Sequence, residues 1–152
     1  MGVQESIGTI LRASADVPTQ FDDDDVDGFP SLTYTDVGEV TEIPTFGGQA
    51  DVVEHTPLKT GITEKFHGAI NQGSLTVPLA LARDDAGQGI LRTAYRDRDR
   101  ISFEIEYPDG SKDYFAGKVM SDVRRGSSVG AVVSGEVQIE IETEITEVAA
   151  PA

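Results

Sequence analysis

Three groups of residues have the types that do chemistry. The first is an aspartate run, Asp22 to Asp25 with Asp27 and Gly28. Asp23, Asp25, Asp27 and Gly28 match positions 1, 3, 5 and 6 of a calcium loop, but position 12, which should be a bidentate Glu, is Tyr34. No helical pattern precedes the run, so it reads as a solvated, flexible acidic loop. The second group is His55 and His67 with Glu54 and Glu64 nearby. Their spacing fits no zinc pattern, and they read as loop or surface histidines. The third is a set of glutamates that alternate with apolar residues near the C-terminus, Glu136, Glu140, Glu142 and Glu144. A carboxyl pair for acid–base work needs a desolvated pocket to raise one pKa. Alternation on a strand puts these on a wet sheet face instead. Gly87-Gln88-Gly89 lies inside a helical pattern and lacks the third glycine of a phosphate cradle. No nucleophile elbow is present. These residues point away from an enzyme and imply no cofactor and no metal.

Composition narrows the classes further. The chain has 152 residues, with 27 acidic and 12 basic side chains and a net charge of −15. That length suits one domain that buries a core without staples. The acidic excess argues against a nucleic-acid grip or attraction to an anionic membrane, since both need cationic patches. The absence of cysteine excludes disulfides, thiolate zinc sites and cysteine nucleophiles, and fits a cytosolic history. The N-terminal sequence lacks the basic-then-apolar pattern of a signal peptide, and no apolar run is long enough to span a bilayer.

The elements that position these residues are mostly strands. Ile7 to Ala13 predicts a short strand, and residues 15 to 31 a loop. Leu32 to Ile43 is strand-like around one Gly. Residues 44 to 73 are punctuated by Pro44, Gly47, Gly48, Pro57 and Gly61. A loop this long usually has a function; short strands are expected at Asp51 to His55 and Lys65 to Gly68. Ser74 to Ala82 predicts a strand in which Pro78 implies an edge or a bulge. Asp84 to Arg96 is the one helix candidate, with an acidic N-cap and an apolar stripe of Ile90, Leu91, Ala94 and Tyr95. In Arg92 to Arg100, aspartates alternate with arginines, which favours salt bridges within or between subunits over a nucleic-acid patch.

Arg100 to Tyr107 alternates Ile101, Phe103, Ile105 and Tyr107 with Ser102, Glu104 and Glu106. Pro108-Asp109-Gly110 supplies a turn, and Asp113 to Met120 returns as a hairpin. Asp122 to Gly130 reads as a polar loop. Val132 to Val148 predicts one overlong strand, with Val137, Ile139, Ile141, Thr143 and Ile145 on one face and the glutamates on the other. The tail from Ala149 to Ala152 is expected to be loose. The acidic face has two readings: the solvent side of an antiparallel sheet, or the inside of a ring of copies whose negative bore repels DNA phosphates.

Four stretches in order resemble the major tail tube protein of long, non-contractile-tailed phages and related gene-transfer particles. Glu64 to Val77 (EKFHGAINQGSLTV) is similar to that family's entry into its middle strand. Arg83 to Arg92 (RDDAGQGILR) resembles its D-x-x-Q-x-x-L helix start. Tyr107 to Gly110 followed by Phe115 to Val119 (FAGKV) resembles its PDG…F-x-G-x-V hairpin. Ser127 to Ile145 resembles its closing strand. The Asp22–Asp27 run departs from the family pattern, and the immunoglobulin-like appendage of some members is absent.

The resemblance implies a mainly β fold over residues 1–152, a β-sandwich or barrel-like subunit with one flanking α-helix, similar to the type VI secretion tube protein. It implies hexameric rings that stack into a tube around a tape-measure protein, with tail terminator and distal or baseplate proteins as further partners. DNA passes through the lumen without sequence-specific binding. The site of action is the virion tail, after synthesis in the bacterial host cytoplasm. Within that frame Glu104, Glu106, Glu136, Glu140, Glu142 and Glu144 are expected to line the lumen. Residues 44 to 66, among them Phe46, Asp51, His55, Lys59 and Glu64, are expected to reach the next ring together with the N-terminal segment. The helix lies outside the sheet. The alternatives are a terminator or baseplate ring protein, and a monomeric acidic β-sandwich that binds calcium or carbohydrate.

Overall fold

The computed structural model describes residues 7–126 and 128–150. The N-terminal segment before Ile7, Ser127 and the last two residues of the tail lie outside the described residues. The strands are β1 Ile10–Ser14, β2 Thr35–Asp36, β3 Gln49–His55, β4 Glu64–Asn71, β5 Ser74–Ala80, β6 Arg100–Glu106, β7 Lys112–Arg124, β8 Ser134–Ile141 and β9 Thr146–Val148, with one α-helix, α1 Ala86–Asp97, and a short 3-10 turn at Phe29–Ser31. Seven strands form one sheet in the order β2-β1-β6-β7-β8-β5, with β9 also on β7, and β3 pairs with β4 alone. All pairings are antiparallel.

The sheet closes on itself. Beyond β2 the chain runs across to the free edge of β5, where Val40 bridges Leu79. There Thr41 N–H donates to the Pro78 carbonyl and Ala80 N–H to the Glu39 carbonyl, at 3.1 and 2.9 Å. This corrects the strand expected over 32–43: only Thr35–Asp36 ladders, because Glu39 takes a left-handed turn (φ 60°) where the chain changes edges. Pro78 sits at this seam, where a strand tolerates a missing N–H. The barrel-like architecture with one flanking helix is as the sequence suggests.

The core fills the space between sheet and helix. Leu11, Leu75, Val77, Ile101, Phe103, Ile105, Phe115, Val137 and Ile139 are buried there with Leu91 and Ala94 of α1. Ile90 packs at its margin, whereas Tyr95, the fourth residue of the expected stripe, stays 44% exposed. Four positions of the helix start have defined tasks. The Asp85 carboxylate accepts from Gln88 N–H (2.9 Å) and from Gly38 N–H (3.0 Å). The buried Gln88 side chain bonds Gly38, Ala80 and Ala82 main-chain groups at 2.9, 2.9 and 3.1 Å. Leu91 reaches the core. Gly87 lies so close to the Asp36 carbonyl that a Cβ would fall 2.1 Å from it. The helix N-terminus thus clasps the barrel seam.

The expected strand over 132–148 is two strands, β8 and β9, on the same partner. Two extra residues separate the Gly117–Ile141 and Tyr114–Thr146 rungs, and the Thr143 hydroxyl accepts from Ala116 N–H inside this bulge. An insertion of two keeps the alternation in phase, so Ile145 still packs on the core. The long strand is β7, which extends to Arg124 into the expected polar loop. Residues 15–34 are not a loose loop. Phe29 is fully buried and stacks on Tyr114 at 5.9 Å, while Ser102 Oγ donates to the Asp16 carbonyl (2.8 Å). This segment covers part of the sheet face opposite α1.

Candidate functional site

The sheet face away from α1 carries the glutamates singled out by alternation. β8 alternates buried Val137, Ile139 and Ile141 with half-buried Glu136, Gln138 and Glu140. The carboxylates do not form a bare negative row, because neighbouring strands bring cations among them. Arg12 of β1 reaches Asp36 at 2.6 Å, Glu104 at 2.5 Å and Glu106 at 3.3 Å. Lys112 of β7 stands 3.9 Å from Glu104 and 3.7 Å from Glu106. Arg100 binds both oxygens of Glu142 at 3.2 Å, and Lys118 adds a contact at 3.8 Å. Arg125 pairs with Glu136. Glu140 accepts from Gln138 Nε2 at 2.9 Å. Among the described residues Glu140 and Glu144 meet no cation.

Glu104 departs most from expectation. It is 4% exposed, beside the Tyr34 and Tyr114 phenols, so it offers no charge to solvent. Burial works against the charge of Arg12, but its hydrogen bonds to Asp36, Glu106 and Glu104 raise its pKa above the ordinary value. Burial first, then the Glu104 charge, pushes the Tyr114 phenol upward. Burial, Tyr114 and Glu104 do the same to Tyr34.

The long segment in which short strands are expected at Asp51 to His55 and Lys65 to Gly68 does carry them, lengthened to β3 and β4 and paired into a projecting hairpin. β3 and β4 pair from Gln49–Asn71 to His55–Glu64, with a bulge near Gly68, and nearly every side chain of both strands is exposed. Asp51, His55, Lys59 and Glu64 all lie on this arm. The arm also exposes apolar side chains the sequence reading did not name: Val52 at 65%, Phe66 at 54%, Ile70 at 61%, and at the tip Leu58 at 105% and Ile62 at 69%. Phe46 is different. It packs on the core, with its ring 6.0 Å from Phe115, and so anchors the base of the arm rather than projecting.

The remaining candidates are set by the same register. His55 pairs with Glu64 and His67 with Val52. Residues 52 and 55 point to opposite faces of a strand, so the two imidazoles do not converge. In the aspartate run, Asp24 Oδ1 accepts from Val26 and Asp27 N–H at 2.7 and 3.1 Å, and these bonds lower its pKa. Asp22 Oδ1 accepts from Asp24 N–H at 3.1 Å. Two of the carboxylates therefore hold a folded turn, while Asp23, Asp25 and Asp27 project into solvent. Phe29 is the sequence signal for this: a large aromatic beside an acidic run needs somewhere to be buried.

No protein-family model and no curated protein matches the chain. Solved structures do. A protein in the tail of an empty gene transfer agent particle, determined with C6 symmetry, superposes with a TM-score of 0.69 at 14% identity, over 97% of this chain and 100% of that one. The SPP1 tail tube protein gives 0.58 at 14% identity, over 91% and 75%. A chain of the anti-feeding prophage baseplate gives 0.68 at 8% identity, over 100% and 99%. At such identities the likeness is one of fold, and the fold of this chain is that of the subunits that build phage-type tail tubes.

Proposed function

We propose that this chain is a structural subunit of a tail tube. Copies close into hexameric rings, and the rings stack around a tape-measure protein between terminator and baseplate components. The bore then conducts DNA from a virion or gene-transfer particle without sequence-specific contact. The observation that carries this reading is the end-to-end agreement in fold with the gene transfer agent tail protein, 97% of this chain on 100% of that one. The arm supports it: exposed Leu58, Ile62 and Phe66 on a hairpin outside the barrel suit burial against another copy. In the proposed ring the arm, with Asp51, His55, Lys59 and Glu64 and the N-terminal segment, contacts the next ring, and Phe46 fixes its base.

The sheet face away from α1 lines the bore. Glu140 and Glu144 carry its free charge, and Glu106, Glu136 and Glu142 reach it through ion pairs. Glu104 drops out because it is buried. A negative wall keeps DNA phosphates from adhering. Virions in which Glu140, Glu142 and Glu144 are replaced by Gln should assemble normally and eject DNA more slowly. Unchanged ejection kinetics would contradict the lumen assignment. A second reading, a baseplate or terminator ring, is favoured by the full-length likeness to the baseplate chain. A tube protein polymerises with itself, whereas those cap or nucleate.

A further inference from the structure

β7 carries a distinct feature at each of its ends. It is 13 residues long, which at ~3.3 Å per residue sets those ends about 40 Å apart. Beyond Arg124 the chain turns at residues 128–131. There Ala131 N–H donates to the Ser128 carbonyl at 3.2 Å, and Gly130, at φ 83°, supplies the positive φ that a type II turn requires. The turn holds Val129 fully in solvent, with Val132 and Val133 exposed behind it. Its root is fixed: Leu81 N–H donates to the Val133 carbonyl at 2.9 Å, and Arg125 N–H to the Ser134 carbonyl at 3.0 Å. Cations crowd this end, where Arg83, Arg92, Arg96 and Arg124 surround Leu81. Among the described residues Arg124 lies 3.9 Å from Asp122, and the other three have no carboxylate partner.

At the other end of β7 a groove of about 1080 Å³ opens between residues 40–46, the turn after β6, and β9. Ile43, Phe46, Tyr107 and Ile145 line it where they pack on the core. Glu42, Asp113 and Glu147 line it too, and meet no cation among the described residues. Pockets for small molecules run to roughly 300–1,000 Å³, so this one has room for a turn of chain. The arm leaves from the same end. Phe46 anchors its base, and it joins β5 at Ser74, which pairs with Glu140, whereas Ala80 pairs with Ser134 beside the valine turn. An apolar turn among cations at one end thus matches an apolar groove among carboxylates at the other. Both lie at the ends of the barrel, in the plane of the proposed tube wall, so their contact leaves the sheet face toward the bore free. A contact between two different patches is head-to-tail, and repeats along a stack.

We propose that the turn at residues 128–133 of one copy seats Val129 and Val132 in the groove of a copy in the next ring, with the arginines at its root toward Glu42 and Glu147. The inference rests on the self-assembling reading above, and its test separates the two. The chain has no cysteine, so a pair of introduced thiols reports a single contact. Val129→Cys is combined with Thr45→Cys on the groove wall, both exposed positions. The protein is treated with a short bis-maleimide once electron microscopy shows it assembled. The two thiols stand at opposite ends of the barrel, so a bridge between them joins two copies. A ladder of cross-linked chains extending beyond six is expected, since each copy bridges to one above and one below. Val129→Cys combined with Thr93→Cys, exposed on α1, should give none. An equal ladder from the Thr93 pair overturns the contact, as does the lack of a ladder from the assembled Thr45 pair; the tube reading stands in either case. A ladder that ends at six chains overturns the placement between rings. Val129→Asp changes a side chain that is fully exposed in the single copy. It should raise the concentration needed for assembly about tenfold, because it carries a charge into an apolar groove lined with carboxylates. Assembly at the unmodified chain's concentration overturns the contact as well. Failure of the unmodified chain to associate at any concentration overturns both readings.

Discussion

Arg12 meets Asp36, Glu104 and Glu106, so it joins β1 to both of its neighbours in the sheet. Arg12→Met leaves the buried Glu104 with Lys112 at 3.9 Å as its remaining cation, beside the Tyr114 phenol. Loss of one partner of a buried pair costs about 3 kcal/mol, which lowers the melting temperature by roughly 10 °C at this chain length. The double variant Arg12→Met, Glu104→Gln should recover part of that loss, as a thermal-melt double-mutant cycle would show. The tyrosines give a second test. Burial raises the pKa of Tyr34, Tyr107 and Tyr114, helped for Tyr107 by its 2.6 Å hydrogen bond to Asp113. A raised phenol pKa favours the neutral form in the folded chain. Its stabilisation is complete below the unfolded value of about 10 and is lost as pH rises past it. Tyr34, Tyr107 and Tyr114 are raised, so at pH 11 the native chain should show less phenolate absorbance than the chain in denaturant. Equal absorbance would contradict the burial of this cluster.

The seam between the Gly38–Thr41 segment and β5 is where one helix decides whether the sheet closes. Gln88→Leu keeps the side-chain volume but leaves the Gly38 and Ala80 carbonyls and the Ala82 N–H without their partner. Unsatisfied buried groups cost about 1–3 kcal/mol each. Denaturant unfolding should show a loss of roughly 3 kcal/mol at unchanged slope, and a loss below about 1 kcal/mol would mean that the seam is held by the core alone. The sequence displays Asp85, Gln88 and Leu91 as a helix start, but not the partner that Gln88 bonds, which lies 50 residues away. β6 and β7 are legible because one face is apolar and the turn between them has Pro and Gly. The β3–β4 arm is read only in part, since a hairpin exposed on both faces leaves no hydrophobic period. The acidic alternation of β8 is read correctly, but its neutralisation is not, because Arg100, Lys118 and Arg125 come from other strands and a loop. The burial of Glu104 beside Tyr34 and Tyr114 is equally non-local.

At the scale of the whole molecule, charge and exposed apolar surface act against each other. A net charge of −15 keeps copies apart at low ionic strength, while the arm's Leu58, Ile62 and Phe66 favour association. Salt shortens the range of the repulsion, from about 30 Å at 0.01 M to 3 Å at 1 M. It leaves apolar burial in place. Assembly should therefore rise with salt. The most direct measurement is negative-stain electron microscopy of the concentrated protein at low and high salt. Tubes or stacked rings with a central hole, more abundant at high salt, are the predicted result; single subunits at every concentration and salt would contradict the account.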